Sequence, residues 1–199
     1  MQNIGYIGEQ LDLYLASLNI GSLWFGIGKT EEKSLNKLDF IIMLAIAKMP
    51  EDKFRKEMFK SKRKPLEEIW QGPYQTIGNI VRFAPSACNT QPWKVIADSH
   101  TFSVYRYKKP GKRGIMLADK VVYYNRIDIG IFLYFIEVCL NQNNLHFQRS
   151  LYLDCNDEAS EALTAECDML PPLIEVGASQ SRNLLIPVSL SYPRMPYGS

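Results

Sequence analysis

Two prolines, Pro85 and Pro92, bracket the stretch that most constrains what this 199-residue chain can fold into. Residues 84–93 read Ala-Pro-Ser-Ala-Cys-Asn-Thr-Gln-Pro-Trp. Each proline fixes its own φ and turns the residue before it, Ala84 or Gln91, away from the helical region. The segment is therefore expected as a rigid, extended turn. Ile77, Ile80 and Val81 carry helical spacing into it, and Trp93, Val95 and Ile96 leave it as a strand. A stiff connection of this kind either joins two packed elements through Asx and Ser turns, or presents polar groups to a ligand. Ser86 and Asn89 supply a hydroxyl and an amide suited to a phosphate, a ribityl chain or a ring edge.

The length suits one domain with a full core, and 46% hydrophobic with 22% charged residues is the balance of a globular chain. A net charge of +2 does not by itself call for a polyanionic partner. The cations are unevenly spread: Lys53, Arg55, Lys56, Lys60, Lys62, Arg63 and Lys64 face only Glu57 in their window. Such a run is either a solvated face or an anion site. Too few aromatics are interleaved there to stack nucleic-acid bases, so nucleic acid is not expected as a partner. The four cysteines, Cys88, Cys139, Cys155 and Cys167, lack Cys-x-x-Cys spacing, and His100 and His146 lie far apart, so no metal site is expected. No signal peptide opens the chain and no apolar run reaches membrane-spanning length. A cytoplasmic protein with free thiols, and no membrane partner, is the expectation.

Along the chain, Ile4, Ile7, Leu11, Tyr14, Leu15 and Leu18 give residues 3–20 one apolar helical face, with Gly21 as its terminator. Gly21, Gly26 and Gly28 then flank Trp24 and Phe25, a loop offering close backbone approach beside flat rings. The apolar run 39–48 reads as a strand buried on both faces. Pro65, Glu67 and Glu68 mark a helix start. Residues 93–97, 102–107 and 145–153 read as strands, residues 127–140 as a central helix, and 157–170 as a short helix. Residues 171–199 carry five prolines and Glu175 as their single acid, the composition of a poorly ordered tail.

The stretch at 84–93 resembles the Ala-Pro-Ser-x-x-Asn-x-Gln-Pro-Trp signature of the nitroreductase family of FMN-dependent oxidoreductases. Seven specified positions are met, by Ala84, Pro85, Ser86, Asn89, Gln91, Pro92 and Trp93. The helix over 3–20 and the loop Gly21–Gly28 together resemble the family's helix-and-loop segment, with Ser22, Leu23 and Asn19 departing from it. Lys62-Arg63-Lys64-Pro65-Leu66-Glu67-Glu68 resembles its basic segment ahead of Pro-Leu-Glu-Glu, and Ile127-Asp128-Ile129-Gly130-Ile131 its central helix. The resemblance covers about residues 3–150.

It implies an α+β fold, a mixed sheet flanked by helices, incomplete here, with a nitroreductase-like domain over 1–153 and a divergent, disordered tail over 154–199. It implies an NAD(P)H oxidoreductase that uses FMN, reduces nitroaromatic or quinone-like acceptors and works as a homodimer. Lys62 and Arg63 would hold the flavin phosphate, Pro85, Ser86, Ala87 and Asn89 would line the flavin, and Trp24 and Gly26 would border its ring. No residue of this chain need act as a nucleophile. The family's Arg-Arg-Ser-x-Arg phosphate arm has no counterpart after Met1. A competing expectation is therefore a truncated remnant that binds no flavin and has no activity.

Overall fold

The computed structural model describes residues 1–26, 28–31, 39–54, 62–109, 116–153 and 159–171. It is an α+β fold built on a five-stranded mixed sheet and a long buried helix. Helix α1 (Gln2–Ser17) leads into strand β1 (Ile20–Phe25), which pairs antiparallel with β2 (Met43–Lys48) in a separate two-stranded sheet. A one-turn helix α2 (Leu66–Ile69), strand β3 (Trp70–Gln71) and helix α3 (Gln75–Val81) precede the proline-bracketed loop. Strands β4 (Trp93–Ala97) and β5 (Thr101–Tyr107) follow, then helix α4 (Val121–Gln142), β6 (Phe147–Leu151) and β7 (Glu161–Met169). The large sheet has the order β3-β4-β5-β7-β6, parallel at β3–β4 and antiparallel elsewhere.

The core forms where α4 lies on this sheet. Ile129, Phe132, Ile136 and Leu140 are fully buried, beside Val95, Phe102, Val104 and Ala165 from the strands. Phe132 stacks on Trp93 with centroids 4.6 Å apart, which seats the start of β4 against the helix. The apolar residues of α4 run round more than one face because α1 covers it from the other side. That crossing is close enough to require glycine. A Cβ on Gly5 would sit 1.9 Å from the Ile127 carbonyl oxygen, and one on Gly130 would sit 1.9 Å from that of Gln2. Tyr6 ties the contact by donating to Glu137 at 2.6 Å, whose carboxylate also takes Arg149 at 2.9 Å.

Several expectations need correction. Of the expected apolar face of α1, Leu15 is buried and Ile4 half-buried, but Ile7, Leu11, Tyr14 and Leu18 are 60%, 47%, 60% and 52% exposed, and Gln2, Gly5 and Glu9 are buried instead. Gly21 does not end α1. The helix stops at Ser17, Asn19 takes the left-handed turn (φ 56), and Gly21 pairs with Ala47 inside β1. The segment around Trp24 is thus a strand, and only Gly26 turns out of it. β2 is a strand, but Ala45–Lys48 are exposed and only Met43 and Leu44 are half-buried, because among the described residues β2 pairs with β1 alone. Within 157–170 the described residues form β7, a strand between β5 and β6, and no helix. It belongs to the same sheet as residues before 153, with a bulge at Thr164, whose hydroxyl donates to the Val104 carbonyl at 2.9 Å. The tail from 172 onward, and Arg55, Lys56 and Lys60 of the basic run, lie outside the described residues. Among the described residues no helix is long and apolar enough to cross a membrane.

Candidate functional site

The proline-bracketed loop leaves α3 and wraps into a compact irregular turn. Ala87–Asn89 form a single 3-10 turn broken by Cys88. Cys88, Asn89 and Gln91 have φ of 52°, 54° and 48°, so the expected extended turn is replaced by three left-handed, non-glycine residues. The conformation is held by hydrogen bonds on both flanks. Within the loop, Asn89 N–H donates to the Ser86 carbonyl and Gln91 N–H to Ser86 Oγ, both at 3.0 Å. From the basic segment, Arg63 donates to Asn89 Oδ1 at 2.6 Å and to the Phe83 carbonyl at 3.3 Å. The Lys64 backbone N–H donates to Gln91 Oε1 at 2.7 Å, and its ammonium to the Gln91 carbonyl at 2.8 Å. From α4, Asp128 accepts the Ala87 N–H at 2.8 Å and the Thr90 hydroxyl at 3.2 Å.

Between this loop, the end of β1 and the first half of α4 lies a cavity of about 430 Å³, within the range of small-molecule sites. Trp24, Phe25 and Ile42 wall one side, residues 85–88 another, and Tyr124, Ile127 and Ile131 the floor. Tyr124 donates to the Gly26 carbonyl at 2.8 Å, which joins α4 to the turn after β1. Trp24 is oriented from behind: its indole N–H points between Glu9 Oε2 and Asp12 Oδ2, 3.2 Å from each, and Asp12 also takes the Ser22 hydroxyl. Burial, then the neighbouring Asp12 charge, push the Glu9 carboxyl up to about 8, against the Trp24 hydrogen bond. Asp128 is pushed up to about 7 by burial, against hydrogen bonds from Ala87, Thr90 and Asn125.

Five residues singled out in the sequence meet at this cavity: Trp24, Gly26, Pro85, Ser86 and Ala87. Three do not. Lys62, Arg63 and Asn89 form their own cluster, with Asn89 Nδ2 donating to the Lys62 carbonyl at 2.9 Å. Among the described residues, the cation that borders the cavity is Lys120, in the turn before α4. Sequence reasoning missed it, together with Tyr124 and the anchoring role of Asp128. For Asp128 a signal existed, a single acid inside the apolar run Ile127–Leu133. A flat, apolar ring system with an anionic end fits this donor set: aromatic walls, the Ser86 hydroxyl, and Lys120 at the rim.

No curated protein sequence matches the chain. Among solved structures it resembles a "putative nitroreductase" of Thermotoga maritima, at 18% identity with a TM-score of 0.55. The match covers 84% of this chain but spans only 64% of the length of that protein, and at this identity it speaks for the fold alone. Residues 1–140 match the family described as "Putative TM nitroreductase", a span that includes the helix-and-loop segment, the proline-bracketed loop and all but the last two residues of α4. By that match the chain belongs to this nitroreductase family.

Proposed function

We propose that the chain is an FMN-dependent oxidoreductase that takes electrons from NAD(P)H and passes them to a small nitroaromatic or quinone-like acceptor. The observation that carries this reading is the cavity in which the Trp24–Gly26 wall meets the proline-bracketed loop. The flavin would supply the hydride and electron transfer. The chain's own part is to bind and orient. Trp24 and Tyr124 offer flat walls that exclude water from the ring, and the Ser86 hydroxyl is placed to donate to a polar edge. Lys120 is the point charge available for the phosphate, with Lys62 and Arg63 beyond the loop.

The homodimer belonging to this reading has a matching surface in the exposed stripe Ile7, Leu11, Tyr14 and Leu18. The cytoplasm is the compartment we assign, and the free thiols of Cys88, Cys139 and Cys167 accord with it. A second reading, a protein that keeps the fold without binding flavin, is favoured by one observation: Arg63 is engaged by Asn89 and the Phe83 carbonyl.

Titration of the purified chain with FMN, read by quenching of flavin fluorescence, separates the two readings. Saturable one-to-one quenching, weaker for riboflavin than for FMN, supports the oxidoreductase. Absence of saturable quenching overturns it in favour of the second reading.

A further inference from the structure

The loop's internal hydrogen bonds close it on itself but do not attach it to the fold. Three outside residues do that: Arg63 and Lys64 from the basic segment, at Asn89 and Gln91, and Asp128 from α4, at Ala87 and Thr90. The Arg63–Asn89 contact is exposed, whereas the bonds to Asp128 lie on the buried, cavity-facing side. Asp128 is 2% exposed, projects from the 22-residue helix α4 and lines the cavity next to Ala87. A carboxylate is acceptor-only and takes two donors at once, so it gathers the Ala87 N–H and the Thr90 hydroxyl from either side of the Cys88 kink. Its hydrogen-bonding neighbours, Ala87, Thr90 and Asn125, are all neutral, and Lys120 on the same cavity wall pairs with Asp119 at 4.0 Å. A buried acid with only neutral partners is costly to the fold, which points to a role for it there. The left-handed residues Cys88, Asn89 and Gln91 mean that the loop has easier conformations to relax into once released.

We propose that Asp128 is a positioning residue that fixes the cavity wall at residues 85–88 through its hydrogen bonds to the Ala87 N–H and the Thr90 hydroxyl. Its consequence for ligand affinity rests on the flavin reading above, while its consequence for the loop does not. Asp128→Asn keeps the geometry, because the amide oxygen accepts from Ala87 and the amide N–H₂ donates to the Thr90 oxygen. Asp128→Ala removes both bonds, and Thr90→Val removes one at nearly constant volume.

Hydrogen–deuterium exchange of peptides covering residues 84–92 reads the loop directly in the full chain. Asp128→Ala should speed exchange there by about tenfold, the loss of one to two hydrogen bonds, without changing β4 and β5. Asp128→Asn should stay within about twofold of wild type, with Thr90→Val in between. In FMN titration, Asp128→Ala should weaken affinity by about tenfold and Asp128→Asn should leave it near wild type. Unchanged exchange in Asp128→Ala, or equal loosening in Asp128→Asn, would overturn the proposal. If Asp128→Ala does not fold, Thr90→Val decides: exchange like wild type overturns the proposal, and faster local exchange supports it. If the exchange pattern holds but wild type binds no FMN, the flavin reading fails and the positioning role stands.

Discussion

Glu9→Gln should make the protein more stable at alkaline pH and leave it nearly unchanged in acid. Glu9 is 1% exposed on the inner face of α1, with its carboxyl raised from 4.5 to about 8 by burial and then by the Asp12 charge. The folded protein therefore holds this proton more tightly than the unfolded chain does. The stability it contributes is full below about pH 4.5 and is lost as pH rises through about 8. At roughly 1.4 kcal/mol per unit, ionising Glu9 costs the fold on the order of 4–5 kcal/mol. Glutamine never ionises. Its carbonyl can still accept the Trp24 indole N–H, and its amide can donate to the Asp12 carboxylate that Glu9 now faces.

The assay is thermal unfolding followed by far-UV circular dichroism from about pH 5 to pH 9, with wild type and variant side by side; at about 2–4 °C per kcal/mol for a chain of this size, the variant should gain roughly 8–20 °C at pH 9 and little at pH 5. Asp128, raised to about 7, titrates in both proteins and cancels in the difference, since it lies in a separate cluster. A variant whose advantage is the same at both ends of the range, or absent at both, would refute the assignment of a buried proton to Glu9.

Two further outcomes test the outer face and the basic clasp. If the proposed homodimer uses the exposed α1 stripe, Leu11→Lys combined with Tyr14→Lys should shift sedimentation from dimer to monomer and move the melting temperature little, because both side chains are about half exposed. Arg63→Ala should cost about 1–2 kcal/mol in urea unfolding, from the lost bonds to Asn89 and Phe83. If Arg63 reaches the phosphate in the complex, the same variant also weakens FMN while leaving riboflavin unaffected.

What the sequence disclosed follows from which forces are local. The loop at 84–93 was legible as a rigid break between helix and strand because proline acts on its own backbone. Its left-handed turns were not, because Gln91 is held there by Lys64 and by the Ser86 hydroxyl, partners that no local rule names. β7 was misread for a related reason. Glu161-Ala162-Leu163-Thr164-Ala165 is rich in helix formers, but pairing with β5 on one side and β6 on the other overrides that preference. Pro85, Ser86 and Ala87 of the loop line the cavity, whereas Asn89 of the loop and Arg63 of the basic segment are bonded to each other away from it, a pairing that no local pattern announces. Asp128, 41 positions after Ala87, could be seen as an isolated acid but not as the loop's anchor.

Helix α1 shows most clearly what periodicity leaves undecided. Two stripes run along it at helical spacing, one of Gln2, Gly5 and Glu9, the other of Ile7, Leu11, Tyr14 and Leu18. Hydrophobicity alone assigns the second to the core along with Ile4 and Leu15, and the structure puts the first there, with Leu15 beside it. The glycines decide it. Gly5 and Gly130 let the α1 and α4 backbones approach within a distance that no side chain larger than hydrogen tolerates, so the small stripe is the one that can reach α4. Gln2 and Glu9 are buried as a consequence of that approach, and Glu9 is left holding a proton beside Trp24. The large apolar stripe is turned outward by the same contact, beside a two-stranded sheet that leaves Leu23 and Ile46 about 60% exposed. A single close helix crossing thus fixes the buried acid behind the cavity wall and the apolar surface available to a second copy.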